Sequence, residues 1–301
     1  MSDIRTESAN RVLSIILDRP AKKNAITDAM YGDIATALAR AADDPETGAV
    51  LIRGEGPDFC AGNDISMFAA AAAGEQNILA SNIGPFLEAI STFPKPLVAA
   101  VTGQAIGIGV TMLLHCDLVY IAGDAELRTP FIDLGLVPEA ASALMLPERI
   151  GHVRSFALFA LGEPLSGAEA ATIGIANRAL PADEVERAAE LAARTLAGKP
   201  LSALVATKAL MRNAEAIAAA LDADQKAFAA QIQTPRRRRP SPPSPRARAR
   251  RRHEPAEEAP YPVTSTTGSS GASRKRSWRR PPCGAGTLSD APVKPSGTRT
   301  G

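Results

Sequence analysis

The sequence predicts an α/β protein in which strand, loop and helix units are followed by a mainly helical region. Apolar runs typical of strands alternate with segments of helical spacing, and they lie near residues 11–17, 49–53, 97–102 and 117–121. After Pro138 almost every segment has helical spacing, over about 140–150, 152–161, 167–172, 184–197 and 202–232. Past Thr234 the aliphatic residues that a core requires almost disappear.

The first predicted helix runs from Thr27 to about Ala42. Threonine is a good N-cap, because its hydroxyl accepts a hydrogen bond from a free N–H of the first turn. Within the helix, apolar residues recur at the spacing of one buried face, at Met30, Ile34, Leu38 and Ala41. We therefore expect this helix to pack against the neighbouring strand.

Two glycine-containing loops each follow a predicted strand. Residues 59–64 (FCAGND) follow the strand 49–53, and Asp64 is expected to cap a short helix that begins at Ile65. Residues 103–109 (GQAIGIG) follow the strand 97–102 and precede a run of helical spacing that begins at Ile108. Glycine permits such tight turns, and the first N–H groups of a helix have no partner within the helix. These loops therefore predict a site that stabilises an oxyanion.

With these residues in view, the chain resembles the crotonase superfamily, also called the enoyl-CoA hydratase/isomerase family, over roughly residues 10 to 230. The resemblance implies an α/β spiral of repeated ββα units, followed by a C-terminal helical region that builds trimers or hexamers. We expect the spiral core over 1–200, a truncated helical region over 201–234 and a disordered Arg/Pro-rich tail over 235–301. The expected substrate is an acyl-CoA thioester, with a role in fatty acid β-oxidation.

The resemblance also implies catalytic roles for two backbone N–H groups. Matching the loops to the family motif places the oxyanion donors on Asn63, after Ala61-Gly62, and on Ile108, between Gly107 and Gly109. Family hydratases carry two glutamates, one after the second loop and one about twenty residues further on. Here Thr111 and Phe131 hold those positions. Since neither side chain exchanges protons at neutral pH, the residues disfavour a two-glutamate hydratase.

One carboxylate remains in a suitable place, namely Glu139 in the segment 134–142 (LGLVPEAAS). This segment resembles that of Δ3,Δ2-enoyl-CoA isomerases, where the glutamate moves one proton from C2 to C4 of the acyl chain. A single base is enough for that reaction. We expect Glu139 in the first turn of a helix that starts after Pro138. Two alternatives stay open, a Glu139 that only favours the helix N-terminus and a base at Asp133.

Recognition of coenzyme A is expected from the segment 19–25 (RPAKKNA), which resembles the RPxKxNA segment of the family. The resemblance implies that Lys22 and Lys23 contact phosphate and that the backbone of Ala25 contacts the pantetheine region. The remaining residues expected to bind substrate lie in the two loops, and they are Ala61, Asp64, Ile65 and Gly107. No separate cofactor and no metal are expected, because coenzyme A is part of the substrate.

The charge of the chain is very uneven. Residues 235–301 contain 14 Arg, 2 Lys and 4 acidic residues, so the tail carries about +12 and the rest of the chain about −10. Three readings of the tail stay open: a change of reading frame near codon 234, a linker, or an arm that binds nucleic acid or anionic surfaces. Nucleic acid binding through the tail is expected to be non-specific.

The sequence contains no long apolar run and no signal peptide, so we expect a cytoplasmic protein without membrane association. Three cysteines without metal-like spacing argue against a disulfide framework. The leading hypothesis is a Δ3,Δ2-enoyl-CoA isomerase with Glu139 as base. The alternatives are a hydratase with atypical acids and a catalytically silent protein that binds acyl-CoA or nucleic acid.

Overall fold

The computed structural model describes residues 2–64, 66–67 and 81–232. They belong to one compact unit. Ile65, expected in the substrate site, and the basic tail 235–301 lie outside the described residues.

Two sheets organise the described part of the chain. Nine strands form them: β1 (Ile4–Ala9), β2 (Val12–Leu17), β3 (Ala49–Gly54), β4 (Leu97–Val101), β5 (Gln104–Ile106), β6 (Leu118–Ala122), β7 (Glu126–Arg128), β8 (Leu165–Ser166) and β9 (Arg178–Leu180). The main sheet has the order β1-β2-β3-β4-β6-β9, and the small sheet has the order β5-β7-β8. All pairs are parallel except β1 with β2 and β7 with β8.

The helices lie between and after the strands. Their bounds are α1 (Asp28–Asp43), α2 (Ile83–Thr92), α3 (Ile108–Thr111), α4 (Ser142–Ile150), α5 (His152–Phe156), α6 (Gly167–Ile173), α7 (Ala182–Ala197), α8 (Leu201–Met211) and α9 (Ala214–Ile232). A 3-10 turn over Met112–His115 extends α3, and a π-helical turn over Ala157–Leu161 extends α5. Strands alternating with helices confirm the predicted α/β class.

The core lies around the central parallel strands. Four consecutive residues of β3, Ala49 to Ile52, are buried, as expected of a parallel strand covered on both faces. Helix α7 packs on β3, β4 and β6 through one face, whose buried residues are Val185, Ala189, Ala193 and Ala197. The predicted N-cap of α1 is confirmed, since the Thr27 hydroxyl accepts a hydrogen bond from the Met30 N–H.

The structure corrects the predicted elements at several points. Strand β1 was not predicted from the sequence. Its residues are mostly polar and exposed, because β1 is an edge strand that pairs on one side. The predicted helix 202–232 is wrong as one element, because Arg212 is extended and separates α8 from α9. The Arg212 guanidinium donates to the His115 carbonyl, and the Asn213 side chain accepts from the Ala216 N–H and caps α9.

The small sheet determines where the second loop lies. Strand β5 follows β4 closely, turns away from the main sheet and pairs with β7 from Gln104 to Ile106. The Gly107 N–H then donates to the Arg128 carbonyl at 2.8 Å, and α3 begins at the next residue. Among the described helices, none combines the length and the apolar character needed to cross a bilayer.

Candidate active site

The two predicted loops lie side by side. Cys60 and Ala105 form a parallel bridge, in which the Cys60 N–H donates to the Gln104 carbonyl at 2.9 Å and the Ile106 N–H donates to the Cys60 carbonyl at 2.8 Å. Asn63 and Ile108 each lie three residues beyond the bridged pair. The bridge therefore brings together the two loop segments that carry these residues.

Glycine is required where the loops approach most closely. A Cβ atom at Gly109 would lie 2.7 Å from the Cys60 carbonyl oxygen, which is closer than a carbon atom can approach. Gly107 has a φ of +55°, a left-handed conformation that L-residues with a side chain rarely adopt. A larger residue at either position would separate the loops or distort the start of α3.

The backbone N–H groups of Asn63 and Ile108 take no part in the hydrogen bonds found among the described residues. Ile108 is the first residue of α3, so its N–H has no acceptor within the helix. Around Asn63, the flanking residues make the bonds instead: the Gly62 carbonyl accepts from Ile26, and the Asp64 N–H donates to Ile26. Both N–H groups thus remain able to donate to an oxygen atom of a ligand.

Tyr31, on the buried face of α1, holds the side chain of Asn63. Its hydroxyl donates to the Asn63 side-chain oxygen at 2.6 Å, and its ring packs on Phe86 with centroids 4.9 Å apart. Complete burial, followed by the nearby charge of Glu139, raises the pKa of the Tyr31 hydroxyl well above its usual value. Tyr31 therefore stays protonated and remains a donor to Asn63.

Glu139 does not lie in the first turn of a helix, so that prediction is wrong. Helix α4 begins only at Ser142, and Ala140 and Ala141 before it have φ values of +60° and +54°. Glycine adopts this left-handed conformation more easily than alanine, so the turn is strained at Ala140 and Ala141. Three contacts hold it: the Ser142 N–H donates to the Glu139 carbonyl, the His115 ring bonds the Ala140 carbonyl at 2.9 Å, and the Ala141 N–H donates to Asp224 at 2.8 Å.

The carboxyl group of Glu139 is buried. The residue is 6% exposed, and its Oε1 atom has no hydrogen-bond partner among the described residues. Burial, followed by the charge of Asp224, raises the pKa of Glu139 from 4.5 to about 7. A carboxyl group with this pKa can both accept and return a proton near neutral pH. Glu139 thus has the properties of a general base.

A cavity of about 60 Å³ lies beside Glu139. Helices α2 and α9 form its other walls, through Ile83, Gly84, Leu87, Asp224, Gln225 and Phe228. The cavity is large enough for a water molecule and mostly apolar. The carboxyl group of Asp224 lines this cavity together with that of Glu139.

Thr111 and Phe131, which occupy the positions of the two hydratase glutamates, are both buried. The Thr111 hydroxyl, like Glu139 Oε1 and the Ser142 hydroxyl, has no partner within the described part of the chain. The Phe131 ring lies near Gly107, because a Cβ atom built there would be 3.9 Å from it. An apolar ring and a hydroxyl thus replace the carboxyl groups that would hold a water molecule.

The loop expected to bind coenzyme A forms a 3-10 turn over Pro20–Lys22. Asn24 fixes this loop, since its buried amide donates to the Glu55 and Asp58 carbonyls and accepts from the Arg19 N–H. Lys22 is exposed. The Lys23 ammonium bonds the Gln104 side chain at 3.0 Å.

The remaining residues expected to bind substrate are tied to this same loop. The Ala25 carbonyl accepts from the Arg19 guanidinium at 3.1 Å, and the Ala61 N–H donates to the Lys23 carbonyl at 2.9 Å. Asp64 accepts from Ser66 and pairs with Arg19 at 2.6 Å, and these bonds lower its pKa to about 2. The helix that Asp64 is expected to cap begins at Ile65, which lies outside the described residues, and the ion pair of Asp64 with Arg19 was not predicted.

The surroundings of the other titratable groups in this region indicate structural roles. His115 is buried, and burial lowers its pKa to about 3, so it is a neutral hydrogen-bonding group. Cys60 and Cys116 are buried free thiols, and burial raises the pKa of each to about 12. Asp133 is exposed. Within the described ranges, no group of three His, Cys, Asp or Glu residues could hold a metal ion.

Two residues of the site, Tyr31 and Asp224, were not predicted from the sequence. Tyr31 lies on the apolar face of an amphipathic helix, where an aromatic residue looks like ordinary core. Asp224 lies in an alanine-rich helix with several exposed charges and is far from Glu139 in the sequence. Neither residue carries a local signal, because both act through contacts that only the tertiary structure creates.

Comparison with known proteins agrees with this geometry. A family model described as enoyl-CoA hydratase/isomerase matches residues 7–244. Enoyl-CoA delta isomerase 2 of Rattus norvegicus is 35% identical over 70% of this chain, which spans 55% of that protein. The 2,3-dehydroadipyl-CoA hydratase of Escherichia coli is 31% identical over 76% of this chain and 89% of its own length.

Solved structures give the same result. OdaA of Pseudomonas aeruginosa superposes with a TM-score of 0.74 at 40% identity, covering 78% of this chain and 95% of that one. An enoyl-CoA hydratase/isomerase from Pseudoalteromonas atlantica gives a TM-score of 0.73 at 35% identity, covering 77% and 92%. The fold and the paired loops therefore define a crotonase-type enzyme. The chain belongs to the enoyl-CoA hydratase/isomerase family, whose relatives here include both isomerases and hydratases.

Proposed function

We propose that the protein is an enoyl-CoA isomerase that converts a 3-enoyl-CoA to its 2-trans isomer. One observation carries the proposal: the buried carboxyl group of Glu139 has an oxygen without a hydrogen-bond partner among the described residues and a pKa of about 7, whereas Thr111 and Phe131 hold the positions of the hydratase acids. Isomerisation needs a single base that removes a proton and returns it. Hydration needs two groups that hold a water molecule.

In this reaction Glu139 takes a proton from C2 of the substrate. The electron pair of the broken C–H bond forms an enolate conjugated with the C3–C4 double bond, and negative charge develops on the thioester oxygen. The N–H groups of Asn63 and Ile108 stabilise that charge. Glu139 then delivers the same proton to C4, and a double bond remains between C2 and C3, so that no proton is gained or lost.

The substrate is held by the loop around residues 19–25 and by the two glycine-containing loops. Lys22 and Lys23 supply positive charge for the phosphates of coenzyme A, and the backbone of Ala25 meets the pantetheine region. Hydrogen bonds connect this segment to the glycine-containing loops, to which Ala61, Asp64 and Gly107 belong. The rigid contacts of Asn24 support the role, since they fix the loop before a ligand binds.

Hydration is the second candidate function, and the position of Asp224 beside Glu139 favours it. Asp224 and Glu139 line one cavity of about 60 Å³, which is large enough for a water molecule. Against this, one oxygen of Asp224 already accepts the Ala141 N–H. Isomerisation therefore remains the proposal that the geometry supports best.

A direct comparison of two assays tests the function. Purified protein is given a 3-enoyl-CoA and, separately, a 2-trans-enoyl-CoA of the same chain length, and the initial rates of isomerisation and hydration are measured. We expect isomerisation to be faster. Hydration faster by about tenfold or more, a difference of roughly 1.4 kcal/mol in activation free energy, would overturn the proposal.

We also propose that the protein forms a trimer or a hexamer through the helices after Pro138. Helix α8 supports this, because it is rich in apolar residues and none of them is buried within the chain. Leu210 and Met211 at its end are 89% and 80% exposed. Exposed apolar residues that lie together on one helix are typical of an interface.

A further inference from the structure

Helix α9 brings Asp224 to the turn that carries Glu139. The helix packs against α2 and α4, and its residues Asp224, Gln225 and Phe228 line the cavity beside Glu139. Asp224 is half-buried, whereas Asp222 two positions earlier is exposed and pairs with Lys226. Of these two acids on the same helix, only Asp224 lines the cavity.

The first contact of Asp224 is with the backbone. Its Oδ2 atom accepts a 2.8 Å hydrogen bond from the Ala141 N–H. Ala140 and Ala141 both have positive φ, a conformation that their Cβ atoms disfavour, so the turn depends on bonds from outside. His115 supplies one such bond at the Ala140 carbonyl, and Asp224 supplies the other. Together they fix the backbone directly after Glu139.

The second effect of Asp224 is on charge. Burial raises the pKa of Asp224 to about 6, and the Ala141 N–H opposes the shift, so the group is mostly ionised at neutral pH. The other titratable groups that face Glu139 are Tyr31 on α1 and Cys60 in the first loop, and burial raises the pKa of both. Helix α2 presents the apolar residues Ile83 and Leu87. Among the described residues that face Glu139, Asp224 is therefore the one that is negatively charged.

We propose that Asp224 is a positioning residue for Glu139, which holds the Ala140–Ala141 turn through the Ala141 N–H and places a second negative charge beside the Glu139 carboxylate. This inference rests on the proposed function, in which Glu139 is the base. The neighbouring charge makes the Glu139 carboxylate hold a proton more tightly. Glu139 is then a stronger base toward C2, while the hydrogen bond keeps its carboxyl group aimed at the substrate.

Two variants separate the hydrogen bond from the charge. Asp224→Asn removes the charge, but its amide oxygen can still accept from Ala141. Asp224→Ala removes both, and alanine suits a helix well, so this variant should fold. Asp222→Asn is the matched control, since it makes the same chemical change on an exposed residue of the same helix.

The first measurement is the pH dependence of kcat for isomerisation in the full chain. In the parent protein kcat should fall as the pH drops through the pKa of Glu139, because only the carboxylate removes a proton. In Asp224→Asn we expect this limb to move to lower pH by about one unit, with a kcat several-fold lower on the plateau. Asp224→Ala should show the same shift and a further loss of kcat with little change in KM. Profiles of both variants that superpose on that of Asp222→Asn would overturn the inference.

The second measurement does not depend on activity. Protein labelled with ¹³C at glutamate carboxyl groups is titrated by NMR, and the Glu139 resonance is assigned by its loss in Glu139→Gln. We expect the Glu139 midpoint to be lower in Asp224→Asn than in the parent protein and unchanged in Asp222→Asn. An unchanged midpoint in Asp224→Asn would show that this inference is wrong even if Glu139 is the base. Full isomerase activity in Glu139→Gln would instead show that Glu139 is not the base in the proposed function, whatever the titration gives.

Discussion

The hydroxyl of Tyr31 donates a 2.6 Å hydrogen bond to the side-chain oxygen of Asn63. Asn63 is the residue whose backbone N–H is proposed to stabilise the oxyanion. That N–H belongs to the Gly62–Asn63 peptide, in which Gly62 has a φ of +92° and its carbonyl accepts from the Ile26 N–H. A peptide next to such a glycine rotates easily unless its neighbours restrain it. Tyr31 thus connects the core helix α1 to the orientation of one oxyanion donor.

Tyr31→Phe should lower kcat with little change in KM. Phenylalanine keeps the packing on Phe86 but removes the hydrogen bond to Asn63, so the protein should fold and the donor should be less well fixed. We expect a loss of about 5- to 50-fold, smaller than the loss of a donor itself. Steady-state kinetics measure this effect, and Tyr120→Phe, on β6 away from the loops, is the control.

A double-mutant cycle makes the test of Tyr31 sharper. Asn63→Ala removes the partner side chain but keeps the backbone N–H. If Tyr31 acts through that side chain, the double variant should be no slower than the slower single variant. Additive losses would show that Tyr31 acts by another route.

Glu139→Gln should lower turnover by roughly 10² to 10⁴, the usual contribution of a general base. Acyl-CoA binding should remain, because the amide has the same size as the carboxyl group and the loop 19–25, which is proposed to bind coenzyme A, is untouched. Kinetics and ligand titration measure the two effects separately. Asp133→Asn is the control, and a larger loss there would transfer the role of base to Asp133.

The same substitution should change the pH dependence of stability. The pKa of Glu139 is raised on folding, from 4.5 to about 7, so the native state binds more protons than the unfolded state between these values. The free energy of unfolding therefore decreases as the pH rises through this window, and the decrease ends above the folded pKa. Glutamine has no charge to bury.

We accordingly expect Glu139→Gln to be more stable than the parent protein at about pH 8, by on the order of 1 to 3 kcal/mol, and to lose this advantage near about pH 4.5. Thermal or urea unfolding at both values measures the difference. A variant less stable than the parent protein at the higher pH would show that the Glu139 carboxylate is not strained by burial.

Sequence patterns predicted those parts of the fold that local physics determines. The α1 cap at Thr27, the buried face with Met30 and Ile34, and the central strands all follow from spacing and capping chemistry. The two glycine-containing loops were predicted for the same reason, because the spacing of their glycines reflects tight backbone turns that other residues rarely adopt. The extended residue Arg212 was not predicted, because its bond to the His115 carbonyl exists only in the folded chain.

The candidate site was likewise predicted only where local sequence patterns determine it. Glu139 was found from its segment, but its place before α4 rather than within it depends on the left-handed turn at Ala140 and Ala141. Asp224 supports that turn from a helix more than eighty residues away. Long-range hydrogen bonds of this kind leave no periodicity in the sequence, so they become visible only in the structure.

Leu210→Glu should weaken the proposed oligomer. Leu210 is 89% exposed at the end of α8, so a charge there costs the isolated chain little but would have to be desolvated in an interface. Light scattering should show a larger fraction of monomer than in the parent protein. Thr36→Glu, an exposed position on α1, is the control. A parent protein that is a monomer at all concentrations would contradict the proposed assembly.

The basic tail should contribute nothing to acyl-CoA turnover. Every residue used in the proposed mechanism, together with Tyr31 and Asp224, precedes residue 233, so a chain that ends at Thr234 keeps all of them. We expect this truncated chain to match the full chain in kcat, KM and thermal stability.

The tail, with its 14 arginines, should bind nucleic acid at low salt, and this affinity should fall steeply between about 50 and 200 mM salt because it depends on counterion release. Salt-sensitive binding that disappears on truncation, without any change in turnover, is the expected result. If truncation lowers turnover, the tail is a working part of the enzyme, and neither a change of reading frame nor a passive linker explains it.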